Sequence, residues 1–173
     1  AEAVRSANKI FAEGHCDCVK LEGGADMAPV IKAIVKAGIP VCAHIGLTPQ
    51  TSALMGGFKV QGKSLEAAQK LLDDARAVEE AGAFMIVLEG IPAALAKVIT
   101  EKVSIPTMGV GAGASCDMQV LVAQDMLGMN AWVPKFAKKY ANIGQIMLDA
   151  FNTYHSEVVN GQFPTPEYSY NTK

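Results

Sequence analysis

Four side chains of this sequence combine acid–base capacity with the same kind of position, the residue at or just after the end of a short apolar run. His44 follows Val41-Cys42-Ala43, which is preceded by Gly38-Ile39-Pro40 and followed by the turn residues Gly46, Thr48 and Pro49. Short apolar, partly β-branched runs bounded by glycine and proline read as buried strands, and the chain leaves such a strand at the turn residues. Glu89 comes directly after the apolar run 84–88 (FMIVL) and before Gly90 and Pro92. A carboxylate there is costly unless it is paired or poised for chemistry. Lys20 and Glu22 stand at the end of the run 16–21, two residues apart, so on a strand they point to one face. The fourth run, 105–110, passes into Gly111-Ala112-Gly113, whose backbone N–H groups could receive an anion. An imidazole, a carboxylate whose basicity a hydrophobic setting can raise, and a fixed cation are the parts of proton abstraction next to a stabilised anion.

Each part also has a plainer reading. A lone histidine at a strand end is more often a satisfied core group. Glu89 could cap the helix that follows it, Lys20 and Glu22 could be an exposed pair on an edge strand, and the glycines could be a tight strand-to-helix connection. What weighs against these readings is recurrence: every one of these groups falls at the C-terminal end of a strand, the ridge where parallel α/β folds do chemistry.

The elements that must carry them follow from periodicity. Apolar residues at helical spacing predict helices over 1–12 (Val4, Ala7, Ile10, Phe11), 27–37, 64–81 with Ser64 as cap, 93–103 and 134–159. In the last of these Phe136, Tyr140, Ile143, Ile146, Met147, Ala150, Phe151 and Tyr154 would supply the buried side. Strands are expected over 16–21, 41–44, 84–88, 105–110 and 119–122, with a long polar loop at 48–63 and an extended or frayed tail from about 162. Strand and helix alternating at this spacing gives βα units and a parallel sheet.

Composition narrows the function classes. With 173 residues, 50% of them hydrophobic, the chain can bury a sizeable core as one domain. A net charge of −2 supplies no basic field for nucleic acid or for an anionic membrane. No apolar run approaches the ~20 residues of a membrane helix. The four cysteines, Cys16, Cys18, Cys42 and Cys116, lack the spacing of a metal site and fit a reducing interior.

Longer stretches carry a resemblance. VKLEGG (19–24), AHIGLTPQ (43–50), GGFKVQGK (56–63), VLEGIP (87–92), IPTMGVGAG (105–113) and CDMQVLVAQDMLG (116–128) resemble successive motifs of the ketopantoate hydroxymethyltransferases. PKFAKKYA (134–141) and GQFP (161–164) are similar to their C-terminal helix and tail. The resemblance implies an α/β fold, a (βα)8 TIM barrel of the phosphoenolpyruvate/pyruvate superfamily type. It also implies transfer of a hydroxymethyl group from 5,10-methylenetetrahydrofolate to 3-methyl-2-oxobutanoate, giving 2-dehydropantoate for pantothenate and coenzyme A. On that resemblance Glu89 is the proton acceptor, Lys20 and His44 bind the keto acid, and Glu22 belongs to the shell of a divalent metal, usually Mg²⁺. A homo-oligomer, decameric in bacterial members, and a cytoplasmic setting, or a mitochondrial one in a fungus or plant, are implied with it.

Two departures accompany it. Met118 stands where family members commonly have glycine, and the family's first three strands, with a GDS-type motif and a later aspartate that supply metal and keto-acid ligands, have no counterpart. The chain is therefore expected to be the C-terminal part of one barrel domain, about the last five βα units over 1–173, with the N-terminal part of that barrel as its partner. Its five strands are expected to leave edges at 16–21 and 119–122 unless another polypeptide fills them. Two rivals stand beside this reading. One is another metal-dependent C–C lyase of the superfamily, which would not need the GLTPQ and KVQG loops; the other is a non-catalytic fragment that keeps only the fold.

Overall fold

The computed structural model describes residues 1–170. The chain divides into two compact units, Ala1–Val120 and Leu121–Lys173. In the first, helices α1 (Glu2–Glu13), α2 (Ala28–Lys36), α3 (Leu65–Glu80) and α4 (Ala93–Lys102) alternate with strands β1 (Val19–Glu22), β2 (Val41–Gly46), β3 (Met85–Glu89), β4 (Thr107–Val110) and β5 (Met118–Gln119). The strands form one parallel sheet in the order β1-β2-β3-β4-β5, so each βα unit lays its strand beside the previous one, an arc of the barrel type of sheet. β1 and β5 are its two edges, where they were expected.

Period-two alternation gives the sheet two different faces. Val41, Ala43, Ile45, Ile86 and Leu88 point to the helices and pack with Ile31, Ile34, Val78 and Ile99 in the main core. Ile31, Ile45, Ile86, Leu88 and Ile99 are wholly buried, and each such side chain stabilises by about 1.5–3 kcal/mol. The opposite face carries a smaller cluster, Cys42, Val87 and Val110 with Met85 and Met108 against it. Helices form where apolar spacing predicted α1 to α4, although Ile10 of the first is 57% exposed, and Ser64 caps α3 by accepting a hydrogen bond from Ala67 N at 3.2 Å. Leu65, in the first turn of α3, is exposed.

Several elements differ from expectation; β2 runs on to Gly46, and β4 begins only at Thr107. The first strand starts at Val19 rather than Cys16, because the chain is still turning there; His15 adopts a left-handed conformation with φ 49°. β5 is only Met118–Gln119, and 120–122 leave the sheet, since Val120 N makes the last bond to β4, at Gly109 O. Residues 123–126 form a short helix, α5 (Ala123–Met126), that periodicity did not indicate. The expected helix over 134–159 is α6 (Ile143–Val159) alone. Residues 134–142 run back along 126–128 instead: Tyr140 N donates to Met126 O and Ile143 N to Leu127 O, so those groups are committed to the neighbouring segment. None of α6 is buried, and its presumed core residues Ile146, Phe151 and Tyr154 are exposed among the described residues. In the tail, Pro166–Tyr168 form a turn of 3₁₀-helix on which Phe163 packs between Tyr154 and Tyr168. Asn171 to Lys173 of the expected frayed tail lie outside the described residues.

The short β4–β5 pairing is held from its N-terminal side by Asp117. Its carboxylate accepts from Thr107 N at 2.8 Å and from the Thr107 hydroxyl at 2.9 Å, and Asp117 N donates back to that hydroxyl. With its one proton committed, the Thr107 hydroxyl accepts from Thr100. The Thr107 backbone N–H first, then its hydroxyl, holds the Asp117 carboxyl below the usual 3.8. A carboxyl lowered on folding stabilises above its unfolded value and loses that contribution as pH falls through the folded one. Asp117→Asn is therefore expected to melt earlier near neutrality and to lose less further stability between about pH 5 and about pH 3. Thermal melts of parent and variant across that range check it; parallel profiles would remove the carboxylate from the account.

Candidate active site

The face that carries the small inner cluster also carries every titratable side chain singled out in the sequence. Register sets Glu22 beside His44 and His44 beside Val87, and one step on sets Gly46 beside Glu89. Lys20, Glu22, His44 and Glu89 therefore share one face at the C-terminal ends of three adjacent strands. The approach of β3 to β2 depends on Gly46: its φ is +92°, and a Cβ there would sit 2.2 Å from Glu89 O. Leu47 N can consequently donate to Glu89 O at 2.8 Å, which fixes the backbone that carries the glutamate.

The four groups form a chain of polar contacts. Lys20 Nζ lies 3.2 Å from Glu22 Oε1 and 3.1 Å from His44 Nδ1. Glu22 Oε1 is 3.9 Å from the same ring nitrogen, and Glu89 Oε2 is 3.1 Å from His44 Nε2. An ammonium can only donate, so His44 Nδ1 accepts and the ring proton resides on Nε2. That proton has no aligned acceptor. Glu89 Oε2 is near enough but out of line, and Nε2 is the one fully buried side-chain nitrogen or oxygen without a hydrogen-bond partner among the described residues. A buried donor left open beside a carboxylate suits an oxygen of a bound molecule. The His44 side chain is 4% exposed, Glu22 7% and Glu89 16%, whereas Lys20 is 47% exposed. The site is thus nearly dry, with its cation at the mouth.

Glu22 is held from both ends, by Lys20 at Oε1 and by Gln50 N, which donates to Oε2 at 3.0 Å. Gln50 was not singled out in the sequence. Its N–H is free because Pro49–Thr51 form a single 3₁₀ turn whose first N–H groups have no internal partner; the P-Q step of GLTPQ is the signal that could have located it. The Gly111-Ala112-Gly113 turn leads from β4 to β5, not into a helix as the plainer reading had it. Gln119 Nε2 donates to Gly113 O, and the turn packs on Ala93 at the start of α4. On the same face Cys42 is buried, and that burial pushes its thiol up to about 11, so it stays a neutral apolar group. The polar loop 52–63 is tied at Gln61, whose N–H donates to Gly90 O.

The metal implied by the resemblance can be tested on these donors. Mg²⁺ takes near-octahedral oxygen coordination. Glu22 offers one carboxylate with both oxygens already engaged, and no three His, Cys, Asp or Glu side chains are gathered to hold an ion among the described residues. The described residues do not by themselves fit that metal. No helix among them is long and apolar enough to cross a membrane.

A parallel α/β sheet that gathers a carboxylate–imidazole–ammonium chain at its strand ends has the layout in which strand-end acid–base sites are built. The chain belongs to the ketopantoate hydroxymethyltransferase family, whose family model matches residues 1–166. Relatives named 3-methyl-2-oxobutanoate hydroxymethyltransferase include those of Clostridium novyi, 58% identical, Heliobacterium modesticaldum, 56%, and Enterococcus faecalis, 55%. Each match runs over 170 residues, 98% of this chain and 62% of the relative. The chain thus spans about three fifths of the length of the relatives it matches.

Proposed function

We propose that this chain is the C-terminal part of an enzyme that transfers a hydroxymethyl group from 5,10-methylenetetrahydrofolate to 3-methyl-2-oxobutanoate, giving 2-dehydropantoate. The observation that carries the proposal is Glu89 lying 3.1 Å from a buried, unpartnered His44 Nε2 whose other ring nitrogen is held by Lys20. In this reading Glu89 takes the C3 proton of the keto acid. The negative charge then moves to the C2 oxygen, where the open His44 Nε2–H donates to it. Lys20, exposed at the mouth, pairs with the substrate carboxylate, and Glu22 keeps the ammonium in place. The methylene carbon bonds to C3 and to a water oxygen as its bonds to N5 and N10 of the folate break, and the proton taken from C3 and one proton of that water end on the two nitrogens, leaving tetrahydrofolate. Membership in the family favours this reaction over the rival lyase. Homo-oligomeric assembly and a cytoplasmic setting belong to the same proposal.

The test separates deprotonation from transfer. An enzyme containing this chain, placed in deuterated water with 3-methyl-2-oxobutanoate, is expected to exchange the C3 proton without folate. Adding 5,10-methylenetetrahydrofolate should then give 2-dehydropantoate, followed by proton NMR. No exchange under any divalent-ion condition would reject the assignment.

A further inference from the structure

The four site residues leave one buried carboxylate unexplained. Asp74, on α3, is 4% exposed, as deeply buried as Glu22 but outside that cluster. It faces away from His44, across the β1–α2 turn. There it lines a half-open cavity of about 160 Å³ with Gly23, Gly24, Thr48, Gln61 and Lys70, and none of the four site residues lines that cavity. Asp74 Oδ1 accepts from Ala25 N at 2.9 Å, and Oδ2 accepts from Lys70 Nζ at 2.7 Å. The fit against the turn is tight: a Cβ on Gly24 would lie 2.1 Å from Asp74 Cγ. The same turn is pinned on its other side, where Gly23 N donates to His44 O at 2.9 Å.

The turn begins at the residue after Glu22. Whatever sets Gly23 to Ala25 therefore sets the last residue of β1, whose side chain must reach Lys20 and Gln50 N at once. We infer that Asp74 is a positioning residue of this site: from α3 it clamps Gly24 and Ala25 and so holds Glu22 and Lys20 against His44. A buried carboxylate is a costly way to fix a turn, and an apolar contact from α3 would suffice for packing alone. What the carboxylate adds is direction, one oxygen on a specific N–H. The inference rests on the proposed reading of the strand-end cluster as the active site.

The test uses the full-length enzyme with Asp74→Ala, Asp74→Asn, Gly24→Ala and the double variant Asp74→Ala/Gly24→Ala. C3 exchange is measured per folded molecule, and the His44 ring nitrogens are followed by ¹⁵N NMR. Asp74→Ala is expected to raise the KM for the keto acid by about tenfold or more through misplaced Lys20. Gly24→Ala should do the same by displacing the carboxylate. The double variant should be no worse than Asp74→Ala, because the new methyl fills the vacated space, a coupling that independent effects would not give. Asp74→Asn keeps the shape and the acceptor for Ala25 N, so it should stay within about threefold of the parent. The Nδ1 resonance of His44 should move in Asp74→Ala and hold in Asp74→Asn, whatever the substrate turns out to be. A parent enzyme without C3 exchange would reject the functional reading while that resonance still tests the clamp. An unmoved resonance, additive losses in the double variant, or a lower melting temperature with unchanged KM would each reduce Asp74 to a packing residue.

Discussion

Replacing Glu89 by glutamine is expected to slow exchange of the C3 proton of 3-methyl-2-oxobutanoate by about a hundredfold or more, with the keto acid still bound. Glutamine keeps the volume of the side chain and a hydrogen-bonding oxygen near His44 Nε2, but it has no lone pair basic enough to take a proton. The substrate contacts assigned to Lys20 and His44 are untouched, so the loss belongs in kcat rather than KM. A hundredfold corresponds to about 2.7 kcal/mol of transition-state stabilisation, well above what a repacked but intact surface residue changes. The surroundings support the magnitude. Glu89 is 16% exposed and ends a strand whose inner residues are apolar, so no solvent base has free access to the same proton. Exchange is followed in deuterated water by loss of the C3 proton signal and binding by titration calorimetry. Near-parental exchange with tight binding would assign the base elsewhere.

The sequence carried the positions of these groups because burial on both faces leaves a strand apolar until its last residue. FMIVL followed by glutamate could be read without coordinates, and so could the cap at Ser64. Pairing could not be read. Lys20 and His44 lie 24 residues apart and meet through the register of β1 on β2, a tertiary fact with no local signature. Asp74 was hidden for the same reason: beside Asp73 on an amphipathic helix it resembles one more polar position, and its partner Ala25 is 49 residues away. The two misjudged elements share a different cause. Residues 120–122 and 134–142 have strand-like and helix-like apolar patterns, yet β4 offers too short an edge for the first. Backbone bonds to 126–128 claim the second. Periodicity reports which residues want burial; competition for backbone partners decides what they become.

Lys20→Ala is the other variant with a large expected effect, a rise of about 10–100-fold in the KM for 3-methyl-2-oxobutanoate, since a hydrogen bond to a charged group contributes about 1.5–3 kcal/mol. The alternative is that Lys20 serves only the fold through Glu22, and magnitudes separate the two. A pair with one member 47% exposed adds at most about 1 kcal/mol to stability, so its loss should barely move the melting temperature. A substrate carboxylate held against the same ammonium and shielded from water by the apolar inner face gains more, because binding removes the solvent that screens the free pair. Lys20→Met, which keeps the length of the side chain without its charge, should match Lys20→Ala if charge is what matters. Lys20→Arg should recover only part of the affinity: the guanidinium keeps the charge, but it is wider and cannot occupy the 3.1 Å position against His44 Nδ1 without displacing Glu22 Oε1. Salt gives an independent check, since KM in the parent should climb with ionic strength more steeply than in Lys20→Met. A melting temperature that falls while KM stays put would make Lys20 a brace for Glu22, and the substrate carboxylate would then need another cation.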